Sequence, residues 1–149
     1  MRIGIVVSRF NGEITQRLLD GAQRTLLKKG ASKKQIIVVP VPGCFELPVA
    51  AKRLGTSRRL DAILCLGVLI RGETSHFDWI ASAISVGLVQ VGVELGIPVI
   101  FGVLTTDTEK QALERAGGRS GHKGVDAAYA AIEMIHCFRS LRKGRRRSG

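Results

Sequence analysis

Chemistry in this chain has few candidate carriers, and they sit in short glycine-flanked segments. His76 follows Gly72-Glu73-Thr74-Ser75 and precedes an apolar run. A loop that opens into a helix presents free N–H groups, which suit an anion. A histidine beside such a site carries a proton to or from a reacting group near neutral pH. Phe10 and Phe45 each follow a β-branched run, and Phe101 lies within another, read as near that strand's end. A phenyl ring there can stack on a planar heterocycle. Glu46 stands at a predicted helix start, where a carboxylate and backbone N–H groups can read the edge of a pyrimidine or pterin. The bland reading is a carboxylate facing a helix dipole. Arg115, Arg119 and Lys123 bracket Gly117, Gly118, Gly121 and Gly124. Cations on a pliant backbone suit a phosphate. The segment matches no Gly-x-x-x-x-Gly-Lys-Ser/Thr loop and no dinucleotide fingerprint.

The elements that must position these residues alternate between strand and helix. Strands are predicted over 2–7, 36–41, 62–67 and 99–104, each a largely apolar run and therefore suited to burial on both faces. Asn11 is the expected cap of a first helix whose stripe is Ile14, Leu18, Ala22 and Leu26, with Gly30 closing it. A short helix is expected over 45–54, with Pro48 in its first turn. A long one is expected over 77–96, another over 108–116 capped by Asp107 or Thr106, and a last one over 125–141. Parallel strands joined by helices imply a three-layer α/β/α sandwich on a four-stranded sheet. Ligands of such sheets sit beyond the carboxyl ends of the strands, where the unusual residues fall.

The 77–96 segment carries Ile80, Ile84, Leu88, Val91 and Leu95 on one face and Ala81, Ala83, Val86, Val89 and Val93 around the rest. Apolar residues on all sides predict burial on all sides. A helix on a parallel sheet keeps one face outward, so a second subunit is expected to cover it. Gln90, Glu94 and Pro98 interrupt the apolar stretch before it reaches the ~20 residues of a membrane span.

Composition narrows the class. The chain has 149 residues, 45% hydrophobic and 23% charged, a size and balance for one globular domain. Three cysteines, Cys44, Cys65 and Cys137, form no C-x-x-C pair and cannot staple a fold this large. A reducing cytoplasm is the expected location, and no metal site is expected from His76, His122 and His136. The formal net charge is +11, and six of the 23 basic residues, Arg139, Arg142, Lys143, Arg145, Arg146 and Arg147, crowd the C-terminus. The expected division is a domain over 1–141 and a basic tail over 142–149.

Read in order, the loop segments resemble the lumazine synthase family. They are Arg9-Phe10-Asn11, Pro42-Gly43-Cys44-Phe45-Glu46-Leu47-Pro48, Gly67 through Phe77, Phe101 through Thr106, and Glu114-Arg115-Ala116-Gly117. The resemblance runs from about Ile3 to Leu141 and implies a flavodoxin-like fold. It implies condensation of 5-amino-6-(D-ribitylamino)uracil with 3,4-dihydroxy-2-butanone 4-phosphate. An imine forms, phosphate leaves, and the ring closes with loss of water, without a cofactor. By the same resemblance Phe10 stacks on the pyrimidine. Cys44, Phe45, Glu46, Val68, Leu69 and Ile70 hold the pyrimidine and ribityl chain. Glu73 and Thr74 bind phosphate through their backbone, and His76 transfers the proton. Phe101 and Arg115 come from a neighbouring subunit, and Lys123 lies near the same phosphate. Homopentamers, sometimes packed into capsid-like shells, and riboflavin synthase as a functional partner are implied too. Cys44 and Glu73 stand where the family commonly has Ala. The sequence enters the first core strand almost at once, so the family's strand-donating N-terminal segment is not expected.

Two other readings compete. One is a polyanion- or RNA-binding protein acting through its basic tail, which the ordered loop motifs do not favour. Nucleic acid is accordingly not an expected partner, nor is a membrane. The other is archaeal-type riboflavin synthase on the same fold, against which the Gly72–His76 segment speaks.

Overall fold

The hydrophobic alternation of each strand divides the core into two layers on either side of one sheet. The computed structural model describes residues 1–144. Its main elements are β1 (Ile3–Ser8), α1 (Gly12–Lys28), β2 (Ile36–Val41), α2 (Leu47–Ser57), β3 (Ala62–Ile70), α3 (His76–Leu95), β4 (Val99–Thr106), α4 (Glu109–Glu114), β5 (Ala116–Gly118), β6 (Gly121–His122) and α5 (Lys123–Gly144). The parallel sheet has the order β2-β1-β3-β4. Ile3, Ile5, Leu64 and Leu66 face α1 and α5, packing on Leu18, Ala22, Ala128 and Ala131. Val6, Ile63 and Cys65 face α2 and α3, packing on Leu47, Ala51, Ile84 and Leu88. This is the expected α/β/α sandwich of flavodoxin-like arrangement. Pro40, which lacks an N–H, lies on the edge strand β2, where a missing donor is tolerated.

Several boundaries differ from the sequence expectation. β3 runs on to Ile70, because β4 extends beside it and pairs Val68 with Leu104 and Ile70 with Thr106. Val68, Leu69 and Ile70 therefore lie on a strand, not in a loop. The same extension puts Phe101 third in β4, away from its carboxyl end. Asn11 caps α1 from the left-handed region at φ 54, with no side-chain hydrogen bond to the helix. Thr108, rather than Asp107 or Thr106, caps α4: its hydroxyl accepts from the Gln111 N–H while the Gln111 side chain reaches back. The glycine-rich segment folds as the β5–β6 hairpin, and α5 extends past Leu141. Residues 145–149 of the basic tail lie outside the described residues.

α3 is apolar nearly all round, yet in the single chain only Ile84, Leu88 and Val91 are buried along it. Trp79, Val86, Val89 and Val93 are exposed, Val93 at 78%. By length and composition the helix is long and apolar enough to cross a membrane. Here its inner face is packed on the sheet through Ile84 and Leu88.

Candidate active site

Three chain segments converge where β1 and β3 end. Phe10 follows β1, and the Arg9 N–H donates to the Val41 carbonyl, tying this loop to the end of β2. The short 3-10 turn Cys44–Glu46 begins α2. The Glu46 carboxylate accepts from the Gly43 N–H at 2.9 Å, so one of its oxygens closes the turn. The rings of Phe45 and Phe10 stay in solvent, 62% and 69% exposed. Large rings left in solvent at a strand end are unsaturated contact surface for a flat ligand.

The cavity between these segments has a volume of about 580 Å³. Of the residues singled out in the sequence, Phe10, Cys44, Phe45, Glu46, Val68, Leu69, Ile70, Thr74 and His76 line it. Cys44 sits at its floor, buried, with its thiol donating to the Val68 carbonyl at 3.6 Å. Burial pushes the Cys44 thiol above its ordinary pKa. It is therefore a neutral packing group and not a nucleophile. Val68, which lines the cavity, is itself 1% exposed.

His76 opens α3, and its N–H donates to the Thr74 hydroxyl at 3.4 Å. Among the described residues, the N–H groups of Glu73, Thr74 and Ser75 meet no acceptor. Three unpaired donors at the start of a twenty-residue helix are the kind of arrangement that suits an anion. Arg71 anchors this loop. Its Nε donates to Asp107 at 3.0 Å, its NH1 donates to Asp78 at 3.1 Å, and its guanidinium lies 4.4 Å from the Phe77 ring centroid. The hydrogen bond to Asp78, then that to Asp107, raises the Arg71 pKa further.

The remaining predicted residues lie elsewhere in the same chain. Phe101 and Arg115 line a separate cleft of about 790 Å³ along the flank of α3, with Ala81, Ser85 and Thr105. Lys123 lines neither cavity. Its N–H donates to the Arg115 carbonyl at 2.8 Å, so it steadies the turn that carries Arg115. Glu73 is exposed and outside both cavities. One chain thus holds a ring-and-histidine half-site and, on another flank, a ring-and-arginine half-site. Phe77 touches both cavities. Glu109 also lines the first, brought there by α4, and no local pattern in the sequence marks it. Among the described residues no three His, Cys, Asp or Glu side chains gather as a metal site.

Fold and site together define an α/β protein of flavodoxin-like arrangement, with exposed rings and a histidine around one cavity at the carboxyl ends of its parallel strands. A family model for 6,7-dimethyl-8-ribityllumazine synthase matches residues 1–139. A curated relative, 6,7-dimethyl-8-ribityllumazine synthase of Syntrophus aciditrophicus (strain SB), is 51% identical over 141 residues, covering 95% of this chain and 92% of the relative. The chain belongs to the 6,7-dimethyl-8-ribityllumazine synthase family. Its activity is the family's, a transferase reaction of riboflavin biosynthesis.

Proposed function

We propose that the condensation runs in a composite site, with the Phe10–His76 cavity of one subunit completed by the Phe101–Arg115 cleft of another. The single observation that carries this reading is the split: Phe10, Phe45 and His76 line one cavity, and Phe101 and Arg115 line another. Phe10 stacks on the diaminouracil, and Phe45 with the backbone around Val68 and Leu69 holds its edge and ribityl chain. The Glu73–Ser75 amides and the neighbour's Arg115 hold the phosphate of the ketone. His76 sits beside that cradle, where it takes or gives the proton as the imine forms and phosphate departs. Holding two substrates at attack distance supplies much of the rate, which leaves His76 a modest share.

The exposed face of α3, with Trp79, Val86, Val89 and Val93, supports a homo-oligomer as the working form. A pentamer, closed into a shell or not, acting in the cytoplasm beside riboflavin synthase, is the arrangement that the family resemblance suggests. The test is complementation. His76→Ala and Arg115→Ala subunits, each feeble alone, are denatured together and refolded as a mixture. Composite sites regenerate some intact His76–Arg115 pairs, and lumazine formation rises above that of either parent. A mixture no better than its parents would place both residues in one chain's site and sink the proposal.

A further inference from the structure

At the opposite end of the sheet, the strands' amino ends, the chain holds a second charged cavity of about 320 Å³. β3 has nine residues, so the two ends lie about 25–30 Å apart. Arg2 enters from before β1, Arg58 and Arg59 from the end of α2, and Arg139 and Arg142 from the last turns of α5. Among the described residues, Asp61 is the one acid lining this cavity. Its carboxylate is already engaged, accepting from the Arg2 N–H at 2.6 Å and lying 3.7 Å from Arg139. Among the described residues, the side chains of Arg2, Arg58, Arg59 and Arg142 meet no carboxylate.

Guanidinium groups gathered this way repel one another unless an anion sits among them. Arginine forks match phosphate oxygens in pairs, and each stays charged at any working pH. The wall between them is apolar, formed by Leu95, Ile97, Ile135 and the half-buried Phe138. A free inorganic ion would leave that wall unused. The volume lies at the small end of ligand cavities, enough for a planar group with its phosphates reaching the rim.

We propose that this cavity binds a nucleotide, with its phosphates on the arginines and its base against the Phe138 wall. The shared chemistry has two sources, a free nucleoside polyphosphate or a nucleotide unit of a single-stranded RNA.

The test is titration of the full chain with ATP, with inorganic tripolyphosphate, and with a short single-stranded oligoadenylate. ATP is expected to bind at least about tenfold tighter than tripolyphosphate. The triple variant Arg58→Ala, Arg59→Ala, Arg142→Ala is expected to weaken ATP by at least about tenfold. Its lumazine formation should persist. The single variant Arg59→Glu gives the same direction with a smaller disturbance of the fold. Arg115→Ala should leave ATP affinity unchanged. Oligoadenylate and ATP binding both support the site, and the tighter of the two names its source. Three results overturn the proposal: ATP affinity that survives the arginine variants, ATP affinity that falls with Arg115→Ala, or tripolyphosphate that binds as well as ATP.

Discussion

Arg71 and Asp107 join the ends of two neighbouring strands across a 3.0 Å hydrogen bond. Arg71 follows β3 directly and Asp107 follows β4. The Arg71 N–H also donates to the Thr106 carbonyl at 2.8 Å, so side chain and backbone together hold the start of the loop that leads into α3. Asp78 and the Phe77 ring complete the clasp from α3.

Arg71→Ala should therefore act on binding more than on folding. The ion pairs are exposed, and such pairs add little to stability. The thermal midpoint should barely move. KM for the phosphoketone should rise several-fold while KM for the diaminouracil holds. Steady-state kinetics with each substrate varied in turn will show whether this split occurs.

His76→Ala should slow turnover by about a hundredfold or less, the lower range for acid–base catalysis. Arg115→Ala should cost more in kcat/KM for the phosphoketone, because in the proposed composite site it is the anchor that brings the two substrates together. The order of the two losses is the readout. A larger loss at His76 would make proton transfer, not positioning, the dominant contribution.

Phe10→Ala should leave stability intact, since the ring is 69% exposed and packs on little. Stacking geometry is worth about 0.5–1.5 kcal/mol, so KM for the diaminouracil should rise about 2- to 10-fold. Denaturant melting alongside kinetics checks both halves.

Acid should loosen the fold through His122. Its ring packs against Gly21 and Gly117, and its Nδ1 is buried without a partner. Burial, with Arg24 nearby, lowers its pKa below the ordinary 6.5, while Asp126 opposes the shift weakly. The unfolded chain then takes up the proton first as pH falls. The contribution is full above pH 6.5 and is lost as pH drops from there towards the folded-state value. Unfolding free energies at pH 7.5 and 5 should differ, and His122→Gln should reduce the difference.

Gly124→Ala should destabilise the chain by about 1–3 kcal/mol. A Cβ there would strike the Leu18 carbonyl, where α5 begins against α1. Backbone carbonyls on a helix cannot step aside as a long side chain can. Calorimetric melting of the variant gives the value.

Much of this was legible in residue order. The apolar runs identified all four sheet strands, and the stripe Ile14, Leu18, Ala22 and Leu26 identified α1, all four residues now being buried. The motif segments before Phe77 gather at one cavity, because loops beyond parallel strands meet at the same end of the sheet, whereas Phe101 and Arg115 line another. Strand ends were less legible. Val68 to Ile70 are apolar and could serve strand or loop equally, and only pairing with β4 decided between them. Thr108 was missed as a cap because the cap is set by where the backbone turns, and three neighbouring residues had suitable side chains.

Periodicity and composition by themselves determined the layers, the buried strands and the chemical types present, since local spacing dictates which face of an element is apolar. Tertiary structure alone decided which of those residues meet. It put Phe101 and Arg115 on a flank apart from His76, brought Glu109 to the first cavity, and collected Arg2, Arg58, Arg59 and Arg139 from remote positions. The reason is physical: a side chain's neighbours across the sheet depend on strand order and register, and these are set by the packing of the whole chain.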